Sequence, residues 1–150
     1  MAAPPSTTSE TDICNAALTR LGAARITSLT EDSNPARVCN DQFAKTRDAL
    51  LASQPWNFAT TYSGALSKKS GAPAWNWSSW YVLPTGTLSV WETNAGAEAA
   101  WEIANDPDDV TGGQVIMVNV SSLKIRYTYR MVDYTRWSPI AIEALVSLMG

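Results

Sequence analysis

The spacing of apolar residues near the start of the chain predicts a helix. Apolar side chains recur every three or four positions between Ile13 and Leu21, and Gly22 follows them. Ser9 and Asp12 stand in the capping-box arrangement that begins many helices. We therefore predict a first helix that begins after Ser9 and ends at Gly22.

A second helical pattern follows a short connector. Ser33 or Asn34 is the predicted N-cap, and Pro35, a favoured first residue of helices, follows it. Pro55 ends the helical pattern. The residues predicted to line its buried side are Val38, Cys39, Phe43, Thr46, Leu50 and Leu51. The two helices are predicted to form a hairpin, with Ile26 and Leu29 of the connector packed back against them.

After Trp56 the pattern changes to short runs of β-branched and aromatic residues bounded by turn residues. The predicted strands are Phe58 to Leu66, Trp80 to Leu83, Thr87 to Glu92, Ala99 to Ala104, Gln114 to Val118 and Leu123 to Arg130. A helical pattern returns at Pro139 with Ser138 as its cap and runs to Gly150. Because this helix stays strongly apolar to its last residue, we expect it to be truncated.

This order of elements predicts an α+β protein. The N-terminal helical hairpin and the C-terminal helix are expected to form a small bundle, with an antiparallel β-sheet of about six strands inserted between them. Residues 1–9 are predicted to be a flexible tail and residues 10–150 a single domain. Within it, we predict a helical part over 10–54, a β-rich part over 57–130 and a closing helix over 139–150.

The composition of the chain excludes several classes of function. The chain has 150 residues, of which 14 are acidic, 11 basic and none histidine, so its formal charge is −3. Scattered basic residues argue against tight binding to nucleic-acid phosphates. The lack of histidine excludes imidazole triads and histidine-ligated metal sites. Cys14 and Cys39 have no metal-site or redox-motif spacing, so we predict buried, reduced thiols.

The sequence shows no sign of a secretory signal peptide or of a membrane-spanning helix. Residues 1–9 lack the basic and apolar parts of a signal peptide. The uncharged stretch from Ser70 to Trp91 is interrupted by proline and glycine and carries many hydroxyl and amide side chains. We expect a protein that stays in the cytosol in which it is made and has no membrane partner.

Tryptophan is the most unusual feature of the composition, with seven in the chain. Trp75, Trp77 and Trp80 lie close together, and in a strand the first two would share a face on which a sugar ring or a partner's apolar side chain could stack. Tryptophan more often fills a core or a protein interface. Since Lys68 and Lys69 favour an exposed loop, we take Trp75, Trp77, Lys68 and Lys69 as a candidate interface, with Trp75 and Trp77 half exposed.

Acidic residues offer two further candidate sites. Asp106, Asp108 and Asp109 before a Gly-Gly pair could hold calcium, but the EF-hand spacing is absent and a solvated hairpin turn is the favoured interpretation. The glutamates that could form a glycosidase-type pair are Glu92, Glu98, Glu102 and Glu143. Their spacing pairs none of them, so we predict no catalytic residue, no metal site and no cofactor.

The succession of motifs along the chain resembles that of tailed-phage head-to-tail adaptor proteins, the tail-tube A group and its relatives. The stretch from Asp12 to Ala59 carries ALTRLG, SLTEDSNPA, RDALL and PWNFA in order. YVLPTGTLSVW, from Tyr81 to Trp91, is similar to the family's strand pair, although Gly86 stands where an aspartate is common. IRYTYRMVDYTRWSPIAIEAL resembles the family's last strand, turn and closing helix.

The resemblance implies a virion structural protein at the head-tail interface. Its expected partners are the portal protein, a tail nozzle or tail-tube protein, and further copies of itself in a dodecameric ring. Genomic DNA would pass through the ring without sequence-specific binding, which agrees with the mild negative charge because a basic lumen would hold DNA. Two other classes stay open: a tail-associated cell-wall hydrolase and a tryptophan-based carbohydrate-binding module.

Overall fold

The computed structural model describes residues 9–71, 73 and 75–149. The predicted tail, apart from Ser9, and Gly150 at the end of the predicted closing helix lie outside these residues. The described chain is α+β, as predicted, with three α-helices, one 3-10 helix and six strands. It divides into two compact units, one formed by the residues up to Ala59 and from Arg130 on, and the other by Thr60–Tyr129.

Local capping chemistry explains where the first helix begins. Helix α1 spans Glu10–Arg20, and Ser9 is its N-cap. The hydroxyl oxygen of Ser9 accepts a hydrogen bond from the backbone N–H of Asp12 at 3.2 Å, and the Asp12 carboxylate accepts one from the Ser9 N–H at 3.1 Å. This reciprocal pair is the predicted capping box. Leu21, predicted to lie on the buried face, is instead the exposed C-cap.

The second helix begins as predicted but buries a different face. Helix α2 spans Asn34–Ala52, with Ser33 as its N-cap. Val38 is exposed and Thr46 is only half buried, contrary to the prediction. With about 100° between successive residues, a side chain one position from the centre of the buried face already turns outward. The residues that α2 buries are Ala36, Cys39, Phe43, Arg47, Leu50 and Leu51.

The connector between α1 and α2 is fixed by one amide side chain. Asn15 donates from Nδ2 to the backbone oxygen of Ile26 at 2.9 Å, and its Oδ1 accepts from the Ile26 N–H at 2.8 Å. Both residues are buried, as predicted for Ile26. The Asn15 side chain thus satisfies the backbone groups of a non-helical residue inside the core.

The last helix joins the same unit from the other end of the chain. Helix α3 spans Pro139–Met149 and packs against both α1 and α2. Ser138 caps it, because its hydroxyl oxygen accepts a hydrogen bond from the Ala141 N–H at 3.3 Å. A 3-10 helix, η1, spans Tyr134–Arg136 just before it. No helix of the described chain is long and apolar enough to cross a membrane.

The six strands form two three-stranded antiparallel sheets and not the single sheet that was predicted. Their bounds are β1 Thr60–Tyr62, β2 Ser79–Val82, β3 Thr87–Thr93, β4 Glu102–Asn105, β5 Gln114–Val118 and β6 Ile125–Tyr129. The first sheet has the order β1-β6-β3 and the second β2-β5-β4. β1, β4 and β6 are shorter than predicted, and a turn over residues 57–59 delays the start of β1.

Burial explains the division into two sheets. Tyr81, Ile116 and Val118 from the second sheet share one core cluster with Val90 and Ile125 from the first. Each sheet therefore buries one face in a common core, as layered β structures do. A single sheet of the same strands would need a second layer from elsewhere in the chain.

Candidate interaction surface

The segment before β2 carries the most exposed aromatic side chain among the described residues. Trp75 is 95% exposed and Trp77 is half buried. The segment is not a strand, because Trp75 and Asn76 lie in a turn and β2 begins only at Ser79. The shared strand face considered for Trp75 and Trp77 is therefore absent, and the two indoles have different environments.

Trp75 also has an unusual backbone. Its φ of 66° lies in the left-handed region, and it is the only described residue other than glycine with a positive φ. A bulky side chain in this region costs about 1–2 kcal/mol. Such strain is often found where a side chain must project in a particular direction for function.

The two candidate lysines have different roles. Lys68 is exposed, and its backbone forms an isolated bridge with Tyr81. The ammonium of Lys69 contacts the Asp106 carboxylate, lies 2.8 Å from Oδ2 of Asp108 and lies 4.9 Å from the centre of the Trp80 ring. Lys69 is therefore already engaged within the β-rich unit, and Lys68 is the more available of the two.

The ion pairs of Lys69 shift the titration of both partners. The hydrogen bonds that the Lys69 ammonium donates to the carboxylates of Asp106 and Asp108 raise the pKa of Lys69. The hydrogen bond from Lys69 lowers the pKa of Asp106. The positive charge of Lys69 is thus balanced by the two aspartates of the β4–β5 turn. Its contact with the Trp80 ring is a cation–π interaction.

The aspartate-rich segment is the hairpin turn between β4 and β5, as predicted. The carboxylates of Asp106 and Asp109 accept hydrogen bonds from the backbone N–H groups two residues ahead, at 3.0 and 2.8 Å. These are Asx turns, which favour aspartate for its short acceptor side chain. Val110 at the tip is fully exposed. In the described part of the chain, no group of three or more acidic or cysteine side chains could hold a metal ion.

The glutamates considered for a catalytic pair lie on separate elements. Glu143 is on α3 and contacts Arg20, whereas Glu92 is on β3, 3.8 Å from Nη1 of Arg126. Glu102 begins β4 with its side chain exposed, as predicted for the wet face of a strand. Glu98 lies in an exposed turn.

A groove opens on the first sheet at a place that the sequence did not indicate. Arg126 on the central strand β6 lies opposite Tyr62 on one side and opposite Glu92 on the other. Cross-strand neighbours share a face of the sheet, so these side chains form a row across all three strands. Lys124 and Ile125 complete a cavity of about 320 Å³ with a largely apolar wall.

The helical unit contains a second feature that sequence reasoning missed, a polar network with Arg47 and Tyr134 at its buried centre. Nη1 of Arg47 donates to the hydroxyl oxygen of Tyr134 at 3.2 Å, and that hydroxyl donates to Oε1 of Glu10 at 2.9 Å. Nε of Arg47 donates to Asp48 at 3.0 Å, and Asp48 accepts a bidentate pair from Arg130 at 2.9–3.1 Å. The network joins α1, α2, η1 and the residue that follows β6.

Burial and charge together set the titration of this network. Burial raises the pKa of Tyr134 to about 12, so the phenol stays protonated. Burial alone would lower the pKa of Arg47, but its hydrogen bonds with Tyr134 and Asp48 raise the pKa overall. The neutral phenol lies between a cation and a carboxylate, and its two hydrogen bonds tie η1 to α1 and α2.

The cysteines are buried thiols, as predicted. Burial, followed by the neighbouring Cys39, raises the pKa of Cys14 to about 12. A thiol with so high a pKa is a poor nucleophile at neutral pH. Cys14 and Cys39 therefore belong to the packing between α1 and α2.

Comparison with models of known protein families gives no match, and comparison with curated proteins gives none either.

Proposed function

We propose that this protein is a head-to-tail adaptor of a tailed phage, which forms a homo-oligomeric ring between the portal and the tail nozzle or tail tube. The ring surrounds the path of the DNA and requires no enzymatic activity. The proposal rests on the sequence resemblance described above, and the structural support for it is the way in which the resembling motifs coincide with structural elements.

Among the structural observations, the division of the chain gives the proposal the most support. Helices from both ends of the chain make up one unit, and the strands between them make up the other. Adaptors of the resembling family have this plan, with helices holding a small β structure. In the proposed arrangement, α1, α2 and α3 form the small bundle of the adaptor, with the β-rich unit inserted into it.

The motifs also fall at positions where they have a local structural role. SLTEDSNPA contains the second half of the connector and the N-cap of α2, with Ser33 accepting a hydrogen bond from the Ala36 N–H at 3.3 Å. PWNFA follows the end of α2, where the indole N–H of Trp56 donates to the backbone oxygen of Leu50 at 2.9 Å. Phe58 then stacks on Trp137 with ring centres 5.0 Å apart. These roles explain why the motifs are spaced as they are.

The decisive experiment is localisation in a virus particle. We expect cryo-electron microscopy of the phage that encodes this chain to find it as a ring directly below the portal. Native mass spectrometry of the chain mixed with that portal should give a complex with several copies of the chain for each portal ring. A chain found elsewhere in the particle, or absent from it, would reject the proposal.

The two other classes are tested with the isolated protein. A cell-wall hydrolase would release soluble fragments from peptidoglycan, and a carbohydrate-binding module would give a signal on a glycan panel through stacking on tryptophan. We expect neither signal. A positive result that is lost in Trp75→Ala would favour the carbohydrate-binding module over the adaptor.

A further inference from the structure

The groove on the first sheet has the chemistry of an aromatic-binding site. Tyr62 is 75% exposed and supplies the accessible aromatic ring of the lining, whereas Ile125 is 2% exposed and packs into the core cluster. Lys124 and Arg126 add two cations, while Glu92 is the one acidic residue of the lining. The pairing of Arg126 with Glu92 is long, at 3.8 Å, so the guanidinium is not tightly held by that carboxylate.

Trp75 of the same unit has the complementary properties. Its indole is 95% exposed, and its left-handed backbone projects the ring from a turn. An indole presents an apolar ring with a negative face, which attracts cations such as lysine and arginine. The groove and Trp75 are therefore matched in both hydrophobicity and electrostatics.

We propose that the groove lined by Tyr62, Lys124 and Arg126 receives the Trp75 side chain of a second copy of this chain. The inference rests on the proposed ring, because the second copy is the neighbouring subunit. Trp75 cannot fill the groove of its own chain while it is 95% exposed. The contact uses two different surfaces, one on each copy, and is therefore heterologous.

The size and symmetry of the contact suit a ring. A buried aromatic side chain removes about 150–250 Å² from water, and a cavity of about 320 Å³ has room for an indole. A heterologous contact leaves one indole and one groove unused on each pair, so further copies can add until the ring closes. Tryptophan anchors of this kind often dominate the energy of an interface.

Complementation between two variants tests the contact. Trp75→Ala keeps the groove and lacks the anchor, whereas the double variant Tyr62→Ala, Lys124→Ala keeps the anchor and lacks the rim of the groove. All three positions are exposed, so both variants should keep the circular dichroism spectrum and unfolding midpoint of the wild type. Val110→Ala, at a fully exposed apolar site on the β4–β5 turn, is the matched control.

We expect weak self-association of the wild-type chain in sedimentation equilibrium at the highest soluble concentration. Each variant alone should associate about 30-fold more weakly or worse, as expected for the loss of an anchor residue. Their equimolar mixture should form a heterodimer with about the affinity of the wild-type contact and nothing larger, because only one anchor and one groove remain. Val110→Ala should behave as the wild type.

Nuclear magnetic resonance identifies the contacting atoms. Unlabelled Tyr62→Ala, Lys124→Ala protein added to labelled Trp75→Ala protein should shift the amide signals of Ile125 and Arg126, and unlabelled Trp75→Ala protein should not. Absence of these shifts, a wild-type chain that remains monomeric at its solubility limit, or a Trp75→Ala protein that associates like the wild type would each overturn the proposal.

The failure of this contact and the failure of the proposed function can be told apart. A ring seen below the portal with Trp75 in open solvent would reject the contact and leave the adaptor function intact. Successful complementation by a chain that lies elsewhere in the particle would retain the contact and reject the adaptor function.

Discussion

Arg47 and Tyr134 are 87 positions apart in the chain and are joined by a buried hydrogen bond of 3.2 Å from Nη1 to the hydroxyl oxygen. The same hydroxyl donates to Glu10, and Nη1 of Arg47 lies 3.5 Å from Oε1 of that carboxylate. Helices α1 and α2 are thus both tied to the segment that precedes α3, through the buried Tyr134 hydroxyl. Such a network stabilises only while every member is paired.

The first prediction concerns the loss of this cation. Arg47→Met should lower the free energy of unfolding by about 1–3 kcal/mol, because the buried Tyr134 hydroxyl loses its charged donor, whereas the Glu10 carboxylate, 39% exposed, can bind water instead. Arg37→Met is the matched control, since Arg37 pairs with Asp32 at 2.8 Å on the surface and should matter by less than about 1 kcal/mol. Urea denaturation measures both, and equal losses would contradict the role given to Arg47.

The second prediction is a loss of stability at alkaline pH. The folded state keeps the Cys14 proton to about pH 12, whereas the ordinary pKa of a thiol is 9.0. Tyr134 likewise has a pKa of about 12 in place of 10.0. Both pKa values are raised on folding, so their contribution is complete below the unfolded pKa and is lost as pH rises towards 12. Each group should contribute a slope of at most about 1.4 kcal/mol per pH unit.

Single substitutions separate these two contributions. In Cys14→Ala the free energy of unfolding should fall less steeply above pH 9, and in Tyr134→Phe it should fall less steeply above pH 10. Urea titrations at closely spaced pH values give the slopes directly. Identical slopes in the wild type and Cys14→Ala would show that the thiol does not resist ionisation in the folded state.

The third prediction uses the backbone of Trp75. Because its φ is 66°, glycine should suit the position better than any residue with a Cβ atom. Trp75→Gly should therefore be more stable than Trp75→Ala by about 1 kcal/mol, although both remove the same exposed indole. Thermal and urea unfolding of the two variants provide the comparison. If alanine proved the more stable, the turn would not hold a left-handed residue at this position.

The fourth prediction is that the separated glutamates have no catalytic role. Glu92→Gln, Glu102→Gln and Glu143→Gln should leave the result of a peptidoglycan-release assay unchanged from the wild type, for which we expect no release. Glycosidase chemistry needs two carboxylates at a defined separation. Release by the pure wild-type protein that any one of these substitutions abolishes would show an enzyme.

Local chemistry explains which parts of the fold could be predicted. Ser9 with Asp12, and Ser33 with Pro35, identify the starts of α1 and α2 because helix caps depend on residues only a few positions apart. The approximate positions of the strands could also be predicted from the sequence, since β propensity and turn residues act locally. The division into two sheets was not, because it depends on pairings such as Tyr62 with Arg126, which join distant parts of the chain.

The residues of the candidate interaction surface could likewise be predicted only where local sequence determines them. Trp75 was identified from composition, and its exposure exceeds the half exposure that was predicted. The groove was missed because Arg126 and Tyr62 belong to ordinary alternating strands whose register the sequence does not specify. Arg47 was missed because a charged residue on an amphipathic helix normally faces solvent, and its partner Tyr134 lies far along the chain.

The last prediction is that ring formation depends on the portal. An adaptor should not polymerise before the capsid is filled, so at low micromolar concentration we expect the isolated chain to be monomeric, with the contact between Trp75 and the groove too weak to hold copies together. A portal presents many equivalent sites in a ring and raises the local concentration of neighbouring subunits, so weak lateral contacts then suffice.

Native mass spectrometry should show monomers of the chain without portal and a complete ring of the chain with portal. Trp75→Ala should bind the portal in fewer copies and without cooperativity, while Val110→Ala should fill the ring like the wild type. Stable rings of the isolated chain at low micromolar concentration would show instead that lateral contacts alone drive assembly.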